Sequence, residues 1–264
     1  MDLQLTGKLA VVTGSTKGIG RAIAQQLDAE GARVVVNGRS QDAVDAVVSQ
    51  LSGRAVGIAG DIGTAAGADE FASKVRTLGS PDILVNNVAI FQPVDFFEIP
   101  DSEWTRFFET NVMSGVRLSR AFMPAMMKNG WGRIVFMSSE SAINIPSEMI
   151  HYGMTKTALL SIARGLAQLT TGTEVTVNSV LPGPTWSEGV ESFVTTMAEQ
   201  MGEDPVRYKE ERFFVEARPT SILKRFTTPD EIASMVTYLC SPRSIATNGA
   251  SLRADGGMLR TIVP

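Results

Sequence analysis

Lys8-Leu-Ala-Val-Val-Thr-Gly-Ser-Thr-Lys-Gly-Ile-Gly20 is the stretch of sequence from which the fold can be predicted. Its first residues form a short apolar run, which is typical of a strand buried on both faces of a parallel sheet. A glycine-rich turn follows, and residues 22–27 then place apolar side chains at helical spacing until Gly31. This order of strand, glycine loop and helix suits phosphate binding, because the helix offers free N–H groups and the positive end of its dipole.

The rest of the chain continues the alternation of strands and helices. Further strands are predicted over residues 33–37, 55–59, 83–85, 133–137, 175–180 and 250–253. Further helices are predicted over residues 42–51, 65–78, 103–127 and 147–169, and from a capping box at 228–231 to about residue 240. Such alternation predicts an α/β fold, with a doubly wound parallel sheet in a single domain of residues 1–264.

Composition narrows the possible functions. The 264 residues are 44% hydrophobic and carry a net charge of −4, which argues against a nucleic-acid-binding protein. No apolar run approaches the roughly 18 residues of a membrane span, and no signal-peptide pattern opens the chain. Cys240 is the only cysteine and His151 the only histidine, so neither an intramolecular disulfide nor a zinc site is expected. We therefore expect a cytoplasmic protein with no bound metal, no nucleic acid and no membrane partner.

Tyr152 and Lys156 are four residues apart in a predicted helix and therefore share one face. An ammonium about 4 Å from a phenol favours the phenolate by roughly 4 kcal/mol at an effective dielectric constant of ~20, before desolvation. The pair therefore predicts acid–base chemistry, with the pKa of Tyr152 lowered by Lys156. The same spacing also occurs by chance on helix surfaces.

The end of the second strand bears on the choice of nucleotide. A dinucleotide-binding fold commonly places an acidic residue there to bind the ribose hydroxyls of NAD. Position 37 is Asn instead, and Arg39 follows, with Lys17 in the glycine loop. Two cations at this corner predict a site for the 2′-phosphate of NADP. The alternative is that both are solvated surface charges.

The longest interruption of the alternation runs from Pro182 to Phe226. It contains Trp186 and several Phe and Met residues, and the spacing of Phe193, Met197 and Met201 predicts a helix. A long insertion in a compact domain is typical of a functional lid, so residues 184–226 are predicted to form a helical lid over the substrate. The alternative is an interaction surface for another subunit.

Taken together, the motifs resemble those of the short-chain dehydrogenase/reductase family, over essentially the whole chain. The resemblance implies a Rossmann fold. The motifs are Thr13-Gly-x-x-x-Gly-x-Gly20, Asp61, Asn86-Asn87, Asn111, Ser139, Tyr152-x-x-x-Lys156, Pro182-Gly183 and Asp255-Gly-Gly257. One departure is Val88-Ala89, where the family usually has Ala-Gly.

The resemblance implies four catalytic residues. Tyr152 would be the general acid in carbonyl reduction and the general base in alcohol oxidation. Lys156 would lower the pKa of Tyr152 and hold the nicotinamide ribose. Ser139 would bind the substrate oxygen, whereas its neighbours Ser138 and Ser141 would not, and Asn111 would hold a water that links Lys156 to solvent.

The resemblance also implies which residues bind NADP. They are Gly14, Ser15, Thr16, Lys17, Gly18, Ile19, Gly20, Arg39, Ser40, Asp61, Ile62, Asn87, Val88, Ala89, Tyr152, Lys156, Pro182, Gly183 and Thr185. The substrate pocket would lie among five apolar residues, which are equally well explained as plain core. These are Phe91, Ile143, Ile145, Met149 and Trp186.

The function implied is an NADP-dependent oxidoreductase that transfers hydride between NADPH and a small carbonyl or alcohol compound. The apolar lid predicts an apolar or mildly polar substrate, and the family implies a homotetramer with the helices over 103–127 and 147–169 in one interface. Two alternatives stay open: a 3-oxoacyl-carrier-protein reductase of the same family, and a non-catalytic NADP-binding sensor. His151 is predicted to lie at the surface or at an interface.

Overall fold

Seven parallel strands form one sheet at the centre of the molecule, in the order β3-β2-β1-β4-β5-β6-β7. The computed structural model describes residues 1–262; Val263 and Pro264, at the end of the predicted domain, lie outside the described residues. The strands are β1 Leu9–Val12, β2 Arg33–Gly38, β3 Val56–Ala59, β4 Ile83–Asn86, β5 Trp131–Met137, β6 Glu174–Pro182 and β7 Ser251–Ala254. The predicted doubly wound parallel sheet is confirmed, and each predicted strand is present within two residues of its expected ends.

Ten helices accompany the sheet in the described part of the chain. They are α1 Gly18–Ala29, α2 Gln41–Val48, α3 Ala65–Leu78, α4 Asp101–Phe108, α5 Ser114–Asn129, α6 Ile150–Leu169, α7 Glu188–Gln200, α8 Pro205–Arg207, α9 Phe213–Glu216 and α10 Pro229–Cys240. The predicted capping box opens α10: Thr228 Oγ1 accepts from the Glu231 N–H, and the Glu231 carboxylate accepts from the Thr228 N–H. None of the helices within residues 1–262 combines the length and apolarity that a bilayer span requires.

Alternate residues of β1 separate two hydrophobic cores. Ala10 and Val12 pack with α1, α2 and α10, whereas Leu9 and Val11 pack with α3, α5 and α6. Because successive strand residues point to opposite faces, the helices cover both faces of the sheet. The chain leaves β1 for β2 on one side and reaches β4 on the other. The carboxyl ends of β1 and β4 therefore form the crevice in which such sheets bind ligands.

Two predicted helices differ from their observed form. The helix predicted over 103–127 is interrupted by a π-helical turn, Glu109–Met113, between α4 and α5. Asn111 in this turn bonds to the backbone of Ile90, and this tertiary contact accompanies the wider turn. The helix predicted from residue 147 begins instead with a 3₁₀ turn, Ser147–Met149, which follows Pro146. Neither the π-helical turn nor the 3₁₀ turn can be deduced from helical periodicity.

The glycine loop after β1 is packed too closely for a side chain at its end. Gly14 and Gly18 adopt φ angles of +59° and +49°, in the left-handed region that favours glycine. A methyl group at Gly20 would collide with the Gly14 carbonyl and lie 2.5 Å from Nδ2 of Asn87. The Asn87 side chain already donates to the carbonyls of Thr13 and Gly14 and fixes the loop.

We expect Gly20→Ala to lower the free energy of unfolding by roughly 1–3 kcal/mol, because the loop must move away from the added methyl group. Gly165→Ala is the matched control: it lies on α6 with no atom within 4 Å of the added carbon. This control should raise stability by about 0.5–1 kcal/mol. Urea unfolding of both variants measures the difference, and equal stability of Gly20→Ala and the unmodified protein would contradict the packing argument.

Candidate active site

Two adjoining cavities lie at the carboxyl ends of the strands. The first, of about 350 Å³, is bounded by the end of the glycine loop, the segment after β5, the start of α6 and the segment after β6. The second, of about 850 Å³, is bounded by the start of the glycine loop and the segments after β2, β3 and β4. Asn87 and Ala89 line both cavities. One elongated ligand can therefore extend from one cavity into the other.

Ser139, Tyr152 and Lys156 all line the first cavity, as the sequence predicts. Ser139 follows β5, and the other two stand one turn apart on α6. Lys156 is almost fully buried, and its Nζ donates to the carbonyl of Met137 at 2.8 Å. The same Nζ lies 5.5 Å from the centroid of the Tyr152 ring. The structure thus brings together an acid–base pair and a hydroxyl group.

The ionisation of this pair differs from the prediction. Burial raises the pKa of Tyr152 to about 12, and the Ser139 hydroxyl and Arg218 only partly offset that effect. Burial lowers the pKa of Lys156 to about 7. The expected lowering of the Tyr152 pKa by Lys156 is therefore wrong for the chain by itself. Desolvation disfavours the charged form of both groups and outweighs their mutual attraction.

The three neighbouring serines are distinguished by their hydrogen bonds. Ser138 Oγ donates to the carbonyl of Lys156 at 2.8 Å, and Ser141 Oγ donates to Glu140 at 3.1 Å. Ser139 Oγ accepts from the N–H of Ser141, and its hydroxyl group lies close enough to Tyr152 to lower the pKa of that phenol. Of the three hydroxyl groups, Ser139 is therefore the one beside Tyr152, and its contact with a substrate oxygen stays a prediction.

Asn111 lines neither cavity and is buried. Its Nδ2 donates to the Ile90 carbonyl at 2.9 Å and to Thr155 Oγ1 at 3.0 Å, and its Oδ1 accepts from the Ile90 N–H at 2.8 Å. The side chain thus joins the π-helical turn, the segment after β4 and α6. These contacts make it a positioning residue for the helix that carries Tyr152, and its water-holding role stays a prediction.

Most of the residues predicted to bind NADP line one of the cavities. Seven of them border the first cavity together with Tyr152 and Lys156: Lys17, Gly18, Ile19, Gly20, Pro182, Gly183 and Thr185. The second cavity is bordered by Gly14, Thr16, Arg39, Asp61, Ile62 and Val88. Asn87 and Ala89 belong to both sets. The predicted residues therefore form one continuous surface along the carboxyl edge of the sheet.

Two predicted binding residues line neither cavity. Lys17 borders the first cavity and Arg39 borders the second, which adjoins it. Ser15 is fully buried, and its Oγ donates to the carbonyl of Val12 and accepts from the Asn37 N–H. Ser40 is exposed beside α2 and lines neither cavity.

Asn37 has a structural role that sequence reasoning missed. Its Nδ2 donates to the carbonyls of Ile58 and Gly60, and its Oδ1 accepts from the Gly14 N–H. The side chain therefore ties the glycine loop to the segment after β3 and is fully occupied. A polar residue at the end of an otherwise apolar strand was the available signal.

His151 is buried within the chain, so the prediction of a surface or interface position is wrong. Its ring lies 4.0 Å from that of Phe107 and 6.0 Å from that of Trp104, measured between centroids. Neither ring nitrogen has a hydrogen-bond partner within residues 1–262. Burial lowers the pKa of His151, so the neutral imidazole packs as an aromatic ring between α4 and α6.

The substrate end of the first cavity is partly apolar. Phe91 and Met149 line it, as predicted, whereas Ile143, Ile145 and Trp186 do not. Trp186 packs instead against Phe226, and Lys209 lies over its ring. Two buried charged residues that no sequence motif marks, Glu140 and Arg218, also line this cavity. In the described residues, no group of three or more His, Cys, Asp or Glu side chains could hold a metal ion.

Comparisons with known proteins agree with this geometry. A family model described as enoyl-(acyl carrier protein) reductase matches residues 14–259. The chain is 49% identical to YvaG of Bacillus subtilis (strain 168), an uncharacterized oxidoreductase, over 99% of this chain and 100% of that protein. It is 33% identical to dehydrogenase/reductase SDR family member 4 of Bos taurus, over 97% of this chain and 88% of that protein.

Among solved structures, the chain is similar to L-sorbose reductase from Gluconobacter frateurii, which was crystallised with NADPH and L-sorbose. The TM-score is 0.91 at 32% identity, and the match covers 99% of this chain and 100% of that chain. The arrangement of Ser139, Tyr152 and Lys156 beside a glycine loop, the matched family model and these relatives lead to one assignment. The chain belongs to the short-chain dehydrogenase/reductase family of NAD(P)-dependent oxidoreductases.

Proposed function

We propose that this protein is an NADPH-dependent reductase of a small ketone or aldehyde, and in reverse an NADP⁺-dependent alcohol dehydrogenase. The observation that carries the proposal is the convergence of Ser139, Tyr152 and Lys156 on one cavity that adjoins a glycine loop. NADPH, when bound, supplies the hydride that reduces the carbonyl carbon. The NADPH complex of L-sorbose reductase, a structural relative, supports the choice of cofactor.

The residues present fit a dinucleotide. Gly14 and Gly18 have positive φ angles and no side chains, so a phosphate group can approach the backbone of the loop. The first turn of α1 presents backbone N–H groups to an anion. Lys17, at the N-cap, has a side chain that only donates, so those N–H groups stay available to an anion. We propose that the glycine loop holds the pyrophosphate, Asp61 and Ile62 border the adenine, and Lys156 holds the nicotinamide ribose.

The protonation state of Tyr152 suits the role of a proton donor. With its pKa near 12, Tyr152 carries its proton at neutral pH and can give it to the oxygen of the reduced carbonyl group. Ser139 donates a second hydrogen bond to that oxygen and stabilises its developing negative charge. Lys156, with a pKa near 7, can return a proton toward Tyr152 under the same conditions.

Tyr152→Phe should lower kcat by about 10²–10⁴-fold, because only the proton donor is removed. The affinity for NADPH, measured by fluorescence titration, should stay nearly unchanged. Lys156→Ala should impair both turnover and NADPH binding, since it removes a charge and a ribose contact. Tyr238→Phe, on the exposed side of α10, is the control. Full activity of Tyr152→Phe would rule out the mechanism.

The preference for NADPH rests on Arg39. It is exposed at the second cavity, and no ion pair within residues 1–262 includes it. A hydrogen bond to a charged group contributes about 1.5–3 kcal/mol, so one good contact to a 2′-phosphate corresponds to roughly 10- to 150-fold in affinity.

We expect kcat/KM for NADPH to exceed that for NADH by at least about 30-fold, or roughly 2 kcal/mol. Arg39→Ala should remove most of this difference by raising the KM for NADPH, with NADH little affected. Lys17→Ala should remove part of this difference as well, and Arg54→Ala serves as a neutral control. Equal use of both cofactors by the unmodified protein would show that Arg39 is a solvated charge.

The alternative of a 3-oxoacyl-carrier-protein reductase needs a basic surface beside the cavity for an acidic carrier. The candidate cations are already neutralised or covered. Arg207 pairs with Glu211 at 2.9 Å, Arg212 pairs with Glu203 at 2.7 Å, and Lys209 lies over Trp186. These contacts favour a free small molecule as substrate. A non-catalytic sensor is disfavoured by the complete set of Ser139, Tyr152 and Lys156.

We propose that residues 184–226 act as a lid within one cofactor-binding domain. The backbones of Trp186 and Thr227 bond at 2.8 Å, and those of Thr227 and Pro184 at 2.9 Å, so both ends of the segment meet beside the sheet. Between them, Phe193, Tyr208 and other apolar residues form a separate hydrophobic cluster. Such a cluster suits an apolar or mildly polar substrate, because closure of the lid excludes water.

We also propose a homotetramer, with the faces of α4, α5 and α6 in one isologous interface. Phe108 and Leu169, on these elements, are large apolar residues that are 40% and 61% exposed. Light scattering at micromolar concentration should give four times the chain mass of 28.3 kDa, and a monomeric mass would contradict the proposal. A cytoplasmic location stays a prediction that rests on the single cysteine.

A further inference from the structure

Glu140 is a buried carboxylate on the wall of the first cavity, directly after Ser139 in the sequence. Its side chain is only 5% exposed. Oε1 accepts a hydrogen bond from Ser141 Oγ at 3.1 Å, whereas Oε2 is buried without a hydrogen-bond partner within residues 1–262. A buried carboxylate oxygen that lacks a donor is energetically costly. Glu140 lines the cavity, but Oε2 is closed off from solvent in the chain without ligand, so a ligand O–H supplies the missing hydrogen bond once the carboxylate turns toward the cavity.

Arg218 holds this carboxylate from the far end of the lid segment. Its Nε lies 3.6 Å from Glu140 Oε1, and its Nη1 donates to Glu148 Oε1 at 3.1 Å and to the Ala217 carbonyl at 2.7 Å. The guanidinium is itself buried. Glu140 is therefore held by Arg218 on one side and by Ser141 on the other. The contact also links the lid to the segment that carries Ser139.

The charges of this cluster select the kind of group that can bind. Two carboxylates surround one guanidinium, so the cluster retains a net negative charge and repels a carboxylate on a substrate. Burial raises the pKa of Glu140, as expected for a carboxylate with too few donors. A neutral hydroxyl group can instead donate to it. Phe91, Met149 and Phe193 provide an apolar wall for the carbon chain on the rest of the surface.

We propose that Glu140 recognises a hydroxyl group on the substrate, so that the preferred compounds are ketones or aldehydes with a hydroxyl group next to the carbonyl. This inference rests on the proposed carbonyl reduction. The carbonyl oxygen then lies at Ser139 and Tyr152, and the neighbouring hydroxyl group donates to Glu140. Arg218 is a positioning residue, since it acts by holding Glu140.

The test compares 3-hydroxybutan-2-one with 3-methylbutan-2-one, which replaces the hydroxyl group by a methyl group of similar size. With NADPH, the unmodified protein should favour the hydroxy compound in kcat/KM by roughly 10- to 150-fold, the range for a hydrogen bond to a charged group. A hydroxyl group also activates the carbonyl chemically. The decisive quantity is therefore the change of this ratio between variants.

Glu140→Gln keeps the shape of the side chain but removes its charge. It should reduce the ratio of the two kcat/KM values about tenfold, because a hydrogen bond to a charged acceptor is stronger than one to a neutral acceptor. Glu140→Met, which removes the acceptor, should leave only the chemical activation. Glu148→Gln is the matched comparison: it contacts Arg218 but does not line the cavity, so it should change the ratio less than Glu140→Gln does. Thermal melting of each variant checks that it is folded.

A second readout is independent of turnover. Saturation-transfer NMR with NADPH present, where alcohol and cofactor are both reduced and cannot react, should show that butane-2,3-diol binds more tightly than 3-methylbutan-2-ol, and that Glu140→Gln removes this difference. Equal ratios in the unmodified protein, Glu140→Gln and Glu148→Gln would overturn the inference while leaving carbonyl reduction intact. Failure of the unmodified protein to oxidise NADPH with any carbonyl compound would overturn the proposed function and this inference with it.

Discussion

The site depends on the hydrogen bonds that join the glycine loop to the end of β4. Thr13 Oγ1 accepts from the N–H groups of Asn87 and Val88, and the Asn87 side chain donates back to the carbonyls of Thr13 and Gly14. These bonds connect residues more than 70 positions apart in the sequence. They hold together β1 and β4, the two neighbouring strands at which the strand order changes direction. The close packing at Gly20, the shape of both cavities and the start of α1 all follow from this connection.

The order of strands and helices could be predicted, because it is determined by local patterns of apolar residues and caps. The glycine loop and the capping box at Thr228 are of this kind, whereas the Ser-Tyr-Lys set is implied by the resemblance to a family. What could not be predicted depends on contacts between distant segments. The π-helical turn, for example, accompanies the bonds of Asn111 to Ile90.

The pKa values of the site residues could not be predicted either, because they depend on burial in the folded chain. The spacing of Tyr152 and Lys156 predicts an attraction between them, but a sequence does not reveal how much water each group loses. In the folded chain, burial dominates both pKa values. Glu140 is a second example. From the sequence, a carboxylate next to Ser139 is expected to be an ordinary surface charge, whereas in the folded chain it is buried and paired with Arg218, which lies far along the chain.

The pairing of Thr185 with Thr227 has a consequence for how this fold can change over time. Because the two ends of the intervening segment are fastened to each other, a change in the length of the segment need not move the strands on either side of it. Insertions, deletions and new helices can accumulate there at little cost, since closure entropy grows only slowly with loop length. The segment is therefore the natural place for substrate range to diverge among descendants that share one unchanged redox apparatus.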